Sequence, residues 1–204
     1  MILKKYAELL TTYSVKATKG QRVLIKSTTL AEPLIKELYK QLLQKGCFVE
    51  CDLEFEGQSK IMYDYSSTKQ LQSPSIFYQK AVDEFDVLIR IIAPFNLKST
   101  AQVPPQKKKL LQEAMAPLRQ RYMQRSATKE LRWVLCVFPT QAAAQECNMS
   151  LDEYTEFVYQ GCMLYDDNPI KSWESLSKKQ QRLVDYLNTV KTIRYVGEKT
   201  DISF

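Results

Sequence analysis

Residues 21–53, QRVLIKSTTLAEPLIKELYKQLLQKGCFVECDL, carry the alternation that decides the fold. Val23, Leu24 and Ile25 start a short apolar strand just after the turn glycine Gly20. From about Glu32, the residues Leu34, Ile35, Leu38, Tyr39, Leu42 and Leu43 recur at helical spacing and form a broad apolar face. Pro33 suits the first turn of that helix, and Gly46 sits where a C-terminal cap belongs. The segment from Phe48 to Leu53 then alternates: Val49, Cys51 and Leu53 fall on one side, Glu50 and Asp52 on the other. That is the pattern of a half-exposed strand near a sheet edge.

The same strand–helix rhythm extends in both directions. Upstream, Tyr6, Leu9, Leu10 and Tyr13 share one face of an N-terminal helix. Downstream, residues 57–72 are less regular, with a short helix around 61–65. Ser73 and Pro74 read as the N-cap and first residue of a helix reaching Glu84. Val87 to Ile92 is the most apolar strand, interrupted by Arg90 and stopped before Pro94. Pro104 and Pro105 precede a long basic helix over 106–124, which Pro117 kinks or divides. Trp133 to Phe138 is another apolar strand, closed by Pro139. Near-continuous apolar runs separated by helices predict an α/β fold, a largely parallel sheet flanked by helices on both faces.

The C-terminal segment reads as helical. Ser150 and Glu153 form a capping box for a helix turning Leu151, Tyr154, Phe157, Val158 and Cys162 inward. Ser177 and Gln180 repeat that signature before a helix carrying Leu183, Val184, Leu187 and Val190. Strand alternation returns only after Gly197, over 200–204. The expected organisation is therefore an α/β domain over 1–197, with 198–204 beginning a further domain.

Composition removes several chemistries. The chain has 204 residues and no histidine, so no imidazole base or nitrogen ligand is available. Apolar residues make up 45% and charged residues 25%, an ordinary globular balance with no apolar run of the ~20 residues that cross a bilayer. The five cysteines, Cys47, Cys51, Cys136, Cys147 and Cys162, are too scattered for a disulfide framework and point to buried thiols in a reducing cytoplasm. On a strand, Cys47 and Cys51 would lie ~13 Å apart, too far to chelate one ion. Net charge is +6, concentrated in Lys107, Lys108, Lys109, Arg119, Arg121, Arg125, Lys129 and Arg132. Tyr122 lies among these cations without regular aromatic interleaving, so a solvated or protein-facing helix is expected in preference to a nucleic-acid partner.

No cofactor motif survives inspection. After the first strand come Ser27, Thr28 and Thr29, where a dinucleotide site needs closely spaced glycines. These hydroxyls serve more simply as helix caps. Asp52 lacks the glycines that would make it a ribose ligand, and no Walker loop is present. Asp166 and Asp167 precede Asn168 and Pro169 as in a solvated turn, and Glu153, three residues from Glu156, already has its capping role. No metal site is expected in this chain.

Taken together, several blocks resemble the M29 metalloaminopeptidases, the aminopeptidase T or thermophilic aminopeptidase family. They are KYAELL at 5–10, the strand at 23–25, and Glu32-Pro33-Leu34. More specific are LRWVLCVFPTQAAAQECNMSLDEYTEFVYQGC at 131–162 and YDDNPIKSW at 165–173. Asn148 departs from the glycine usual before Met-Ser, but asparagine also adopts left-handed angles. The resemblance covers essentially the whole chain. It implies the N-terminal half of an enzyme that removes N-terminal amino acids from peptides with two divalent metal ions, such as zinc or cobalt. The metal ligands, carboxylates and histidines, belong to the family's C-terminal catalytic domain, so none transfers to a residue here. The implied partners are that domain, the peptide substrate and a second copy in a homodimer; this portion alone is expected to be inactive. Trp133, Phe138 and Thr140, at or beyond a strand, are candidates to line the interdomain cleft. The alternative is an independent interaction or scaffold domain, with weak nucleic-acid binding a third option.

Overall fold

A computed structural model describes residues 1–204, which divide into two compact units, 1–165 and 166–204. The first is built on β1 (Arg22–Thr28), β2 (Phe48–Glu54), β3 (Val87–Ile92) and β4 (Arg132–Val137). Their spatial order is β2-β1-β3-β4 and every pairing is parallel, as the apolar runs predicted. β2 occupies an edge, in keeping with its alternation of apolar and acidic residues.

Helix α1 (Ile2–Glu8) continues into a π-helical turn, Leu9–Ser14, in which the Val15 N–H reaches the Leu10 carbonyl at 3.1 Å. Helix α2 (Glu32–Gln44) follows a short 3₁₀ turn whose Leu30 N–H is accepted by the Thr28 hydroxyl. At its other end, Gly46 N–H bonds Leu43 and Cys47 N–H bonds Leu42, the paired bonds of a Schellman cap. Gly46 has φ +79°, the left-handed angle that cap requires. Tyr6 of α1 and Leu34, Leu38 and Leu42 of α2 are fully buried, together with Leu24, Ile25 and Ile89 of the central strands.

The opposite face is only half covered. Leu24, Leu88 and Trp133 are register neighbours and project together. Leu24 and Leu88 are buried against Ala81 of α5 (Ile76–Glu84) and Phe85 just after it, with Tyr122 of α7 (Ala116–Ala127) packed alongside. Farther toward β4, Trp133 and Leu135 remain 50% and 49% exposed. Helices thus flank both faces of the parallel sheet, as the apolar runs predicted, with only the β4 margin of this face left open.

Other differences have local causes. Ser75, not Ser73, caps α5, its hydroxyl accepting the Tyr78 N–H at 3.3 Å. Ser73 is engaged by helix α4 (Thr68–Leu71), donating to the Lys69 carbonyl. Before it, α3 spans Gln58–Tyr65. The basic segment forms α6 (Pro105–Ala114) and then α7, because Pro117 fits a first turn and not a helix interior. Helices α8 (Gln141–Glu146) and α9 (Leu151–Gly161) follow β4. Ser150 and Glu153 form the expected capping box on α9, but Leu151 and Phe157 are exposed rather than inward, and Tyr159 is buried along with Tyr154.

In the second unit, α10 (Pro169–Leu187) runs unbroken from its Asn168 cap, so Ser177 and Gln180 lie inside a helix and do not start one. β5 (Arg194–Gly197), absent from the sequence reading, pairs antiparallel with β6 (Thr200–Ser203). Leu183, Val184 and Leu187 are all exposed. No helix is long and apolar enough to cross a membrane.

Candidate functional site

All four parallel strands end on one side of the sheet. With the order β2-β1-β3-β4, the chain leaves β1 and β3 in opposite directions, opening a crevice beyond their carboxyl ends. A cleft of about 530 Å³ occupies that place. Its walls include Lys26, Glu54, Phe55, Glu56, Arg90 and Phe95.

The floor is stitched by side chains. The Ser27 hydroxyl donates to the Ile91 carbonyl at 3.0 Å, and the Thr28 hydroxyl donates to Ala93 at 2.5 Å. Of the hydroxyls read from the sequence as helix caps, Ser27 and Thr28 thus tie β1 to β3 and its following turn. Lys26 bonds Asp52, lies 3.8 Å from Glu54, and stands 5.7 Å from the Tyr78 ring centre. Arg90 is its register neighbour on β3, exposed on the same face and without an ion pair. Nearby, Tyr122 is pushed up to about 12, chiefly by burial, with the Arg90 charge acting slightly the other way.

The sequence-selected cleft residues lie apart from this crevice. Trp133 is on the half-covered face, its ring centre 6.2 Å from that of Tyr122. Phe138 follows β4 and donates its N–H to the Ile92 carbonyl at 2.9 Å. Thr140 is buried and caps α8, its hydroxyl accepting the Ala143 N–H at 3.3 Å. Sequence reasoning noticed Arg90 only as a break in an apolar strand. That break was the available signal, since a guanidinium in a central strand needs an open face or a partner. Phe95, Asn96 and Ser99 carried no motif at all.

A second polar cluster lies under the sheet. The Tyr6 hydroxyl donates to the Val137 carbonyl at 3.1 Å and accepts from Cys162 at 3.6 Å. Burial drives the Tyr6 pKa far above the ordinary phenol range and pushes the Cys136 thiol up to about 12. Such groups stay protonated and serve packing. Uniform burial of the cysteines does not hold: Cys47 and Cys136 are buried, Cys162 is half-buried, and Cys51 and Cys147 are exposed.

No group of three or more cysteine, aspartate or glutamate side chains is placed to hold a metal ion. Asp52 is spent on Lys26, and Glu153 on the backbone of Ser150. The residues of this chain do not fit a dinuclear metal centre, and no catalytic step is assigned to them. The cations of the basic segment are also largely engaged. Arg121 pairs with Asp83, Lys109 with Glu113, and Arg125 with Glu130, while Lys107, Arg119 and Arg132 donate to main-chain carbonyls.

The family model for the thermophilic metalloproteases (M29) matches residues 1–204. Aminopeptidase 2 of Geobacillus stearothermophilus is 23% identical over 197 residues, which cover 91% of this chain and 48% of that protein. The solved structure of wild-type AmpT from Thermus thermophilus superposes with a TM-score of 0.80 at 18% identity, over 98% of this chain and 52% of the other. The chain thus spans about half the length of these relatives.

Proposed function

Since the chain belongs to the thermophilic metalloprotease (M29) family, we propose that it is the N-terminal, cleft-forming half of a dinuclear-metal aminopeptidase. In that reading its catalytic partner, carrying zinc or cobalt, removes N-terminal amino acids from peptides, and this half does no chemistry alone. The observation that carries it is a family match along the entire chain combined with a donor set that builds no metal site. The sheet face bearing Trp133 and Leu135 is the surface offered to the catalytic half or to a second copy in a homodimer. Trp133 and Phe138 keep their candidacy as cleft residues, while Thr140 supports the loop through its cap. Residues 198–204 would lead into the catalytic half. Thiols without a disulfide suit a cytoplasmic setting.

The test has two arms. Purified chain incubated with leucine p-nitroanilide and added zinc or cobalt should give no turnover; turnover abolished by EDTA would overturn the noncatalytic assignment. Mixed with the separately produced metal-bearing half of a relative, the chain should bind and raise its peptidase rate. A strict failure to associate favours the second reading, an independent interaction domain, which the exposed Trp133, Leu135 and Phe157 support.

A further inference from the structure

We infer that the crevice beyond β1 and β3 is a binding site for a zwitterionic ligand, a short peptide with free ammonium and carboxylate ends. Two uncommitted charges of opposite sign meet there: neither Arg90 nor Glu56 makes an ion pair, and both line the cleft. Glu54 adds a second carboxylate, held only loosely by Lys26 at 3.8 Å and by the Ser59 hydroxyl at 3.5 Å. A purely anionic ligand, such as a phosphate, would face Glu54 and Glu56. A purely cationic one would face Arg90 and Lys26. A zwitterion satisfies both sides, its carboxylate on the Arg90 fork and its ammonium toward Glu56 and Glu54.

Shape and position agree with this assignment. The volume of about 530 Å³ falls within the range of small-ligand sites. Phe55, Ile92 and Phe95 give an apolar wall for a side chain. The turn at 55–58 is ordered before any ligand arrives: Phe55 N–H donates to the Gln58 side chain at 3.2 Å, and Gln58 N–H returns to the Phe55 carbonyl at 3.2 Å. Gly57, at φ +79°, lets the chain turn sharply there and brings Glu56 to the rim. The location is the reversal point of strand order, where open parallel sheets bind ligands. Only the choice of a peptide over other zwitterions rests on the aminopeptidase reading.

The experiment is an amide NMR titration of the 204-residue chain with leucyl-leucine, N-acetyl-leucine, leucinamide and inorganic phosphate. Leucyl-leucine should saturate shifts at 57–60 and 91–96. Blocking either end should weaken binding about tenfold, the worth of one charge-assisted hydrogen bond. Arg90→Gln should erase the preference for a free carboxylate, and Glu56→Gln the preference for a free ammonium. Both residues are exposed, so both variants should fold and give wild-type spectra elsewhere. Equal affinity for blocked and free peptides, competition by phosphate, an unchanged Arg90→Gln variant, or no shifts at millimolar ligand would each overturn the assignment. None of those results would touch the association test of the peptidase reading, which fails or succeeds on its own.

Discussion

Arg125 is the side chain on which the covered part of the sheet depends. It is nearly buried, and its Nη1 donates to the carbonyls of Val82 at 2.7 Å and Phe85 at 3.0 Å, closing the end of α5. Its Nε reaches Glu130 at 3.3 Å. Arg125→Met fills much of the same volume but leaves those carbonyls without a donor, at a cost of about 2–3 kcal/mol in urea unfolding. A loss below about 0.5 kcal/mol would show that water replaces the guanidinium. The Tyr6 and Cys136 pair makes a different prediction. Both groups have pKa values raised in the fold, so folding favours their protonated forms. Their contribution is fully present below the unfolded values of 9.0 for the thiol and 10.0 for the phenol, and it declines as pH rises past them. Unfolding free energy should therefore fall between pH 9 and about 12, and Tyr6→Phe should flatten that decline above pH 10. An identical slope in the variant would show that the Tyr6 phenol does not contribute to the decline.

At the level of elements, caps decide where the chain turns. Gly46 closes α2 at φ +79°, and a Cβ there would meet Lys19 Cγ at 2.9 Å. Gly46→Ala should cost about 1–2 kcal/mol, most of it backbone strain because the lysine stem can move. Asn148, at φ +55°, holds the same kind of angle between α8 and α9. Asn148→Gly should be neutral or stabilise by up to ~1 kcal/mol, and thermal melts of both variants would check the opposite signs. These devices explain what was legible in the sequence. The strands, α2 with its glycine and the Ser150–Glu153 box each rest on contacts within a few residues, and they could be read directly. Ser73, Ser75, Ser177 and Gln180 show the limit. Several serines satisfy the same pattern, and only the neighbouring helix determines which hydroxyl remains for the cap. The crevice was less legible still. Lys26, Glu56, Arg90 and Phe95 belong to different strands and turns, and parallel pairing alone brings them together.

The whole molecule distributes its burial unevenly. Leu24, Ile25 and Ile89 are sealed in the four-stranded sheet of the first unit, whereas Tyr195, Val196 and Ile202 of the β5–β6 hairpin are all largely exposed. Within the second unit, that hairpin is held by backbone pairing, an Arg194–Asp201 ion pair and the Tyr195–Phe204 edge contact at 6.0 Å. Exposed ion pairs and a lone two-stranded ribbon add little stability in water. Local opening should thus cost far less in residues 166–204 than in the sheet. Native-state hydrogen exchange makes the difference measurable. Amides of β1 and β3 should exchange only through global unfolding, while those of β5 and β6 should be at least about a hundredfold less protected, a gap near 3 kcal/mol. Addition of the metal-bearing half of a relative should raise protection in the Trp133–Leu135 region if that face is its seat. Equal protection throughout the free chain would mean that both units unfold as one and would overturn the expected difference.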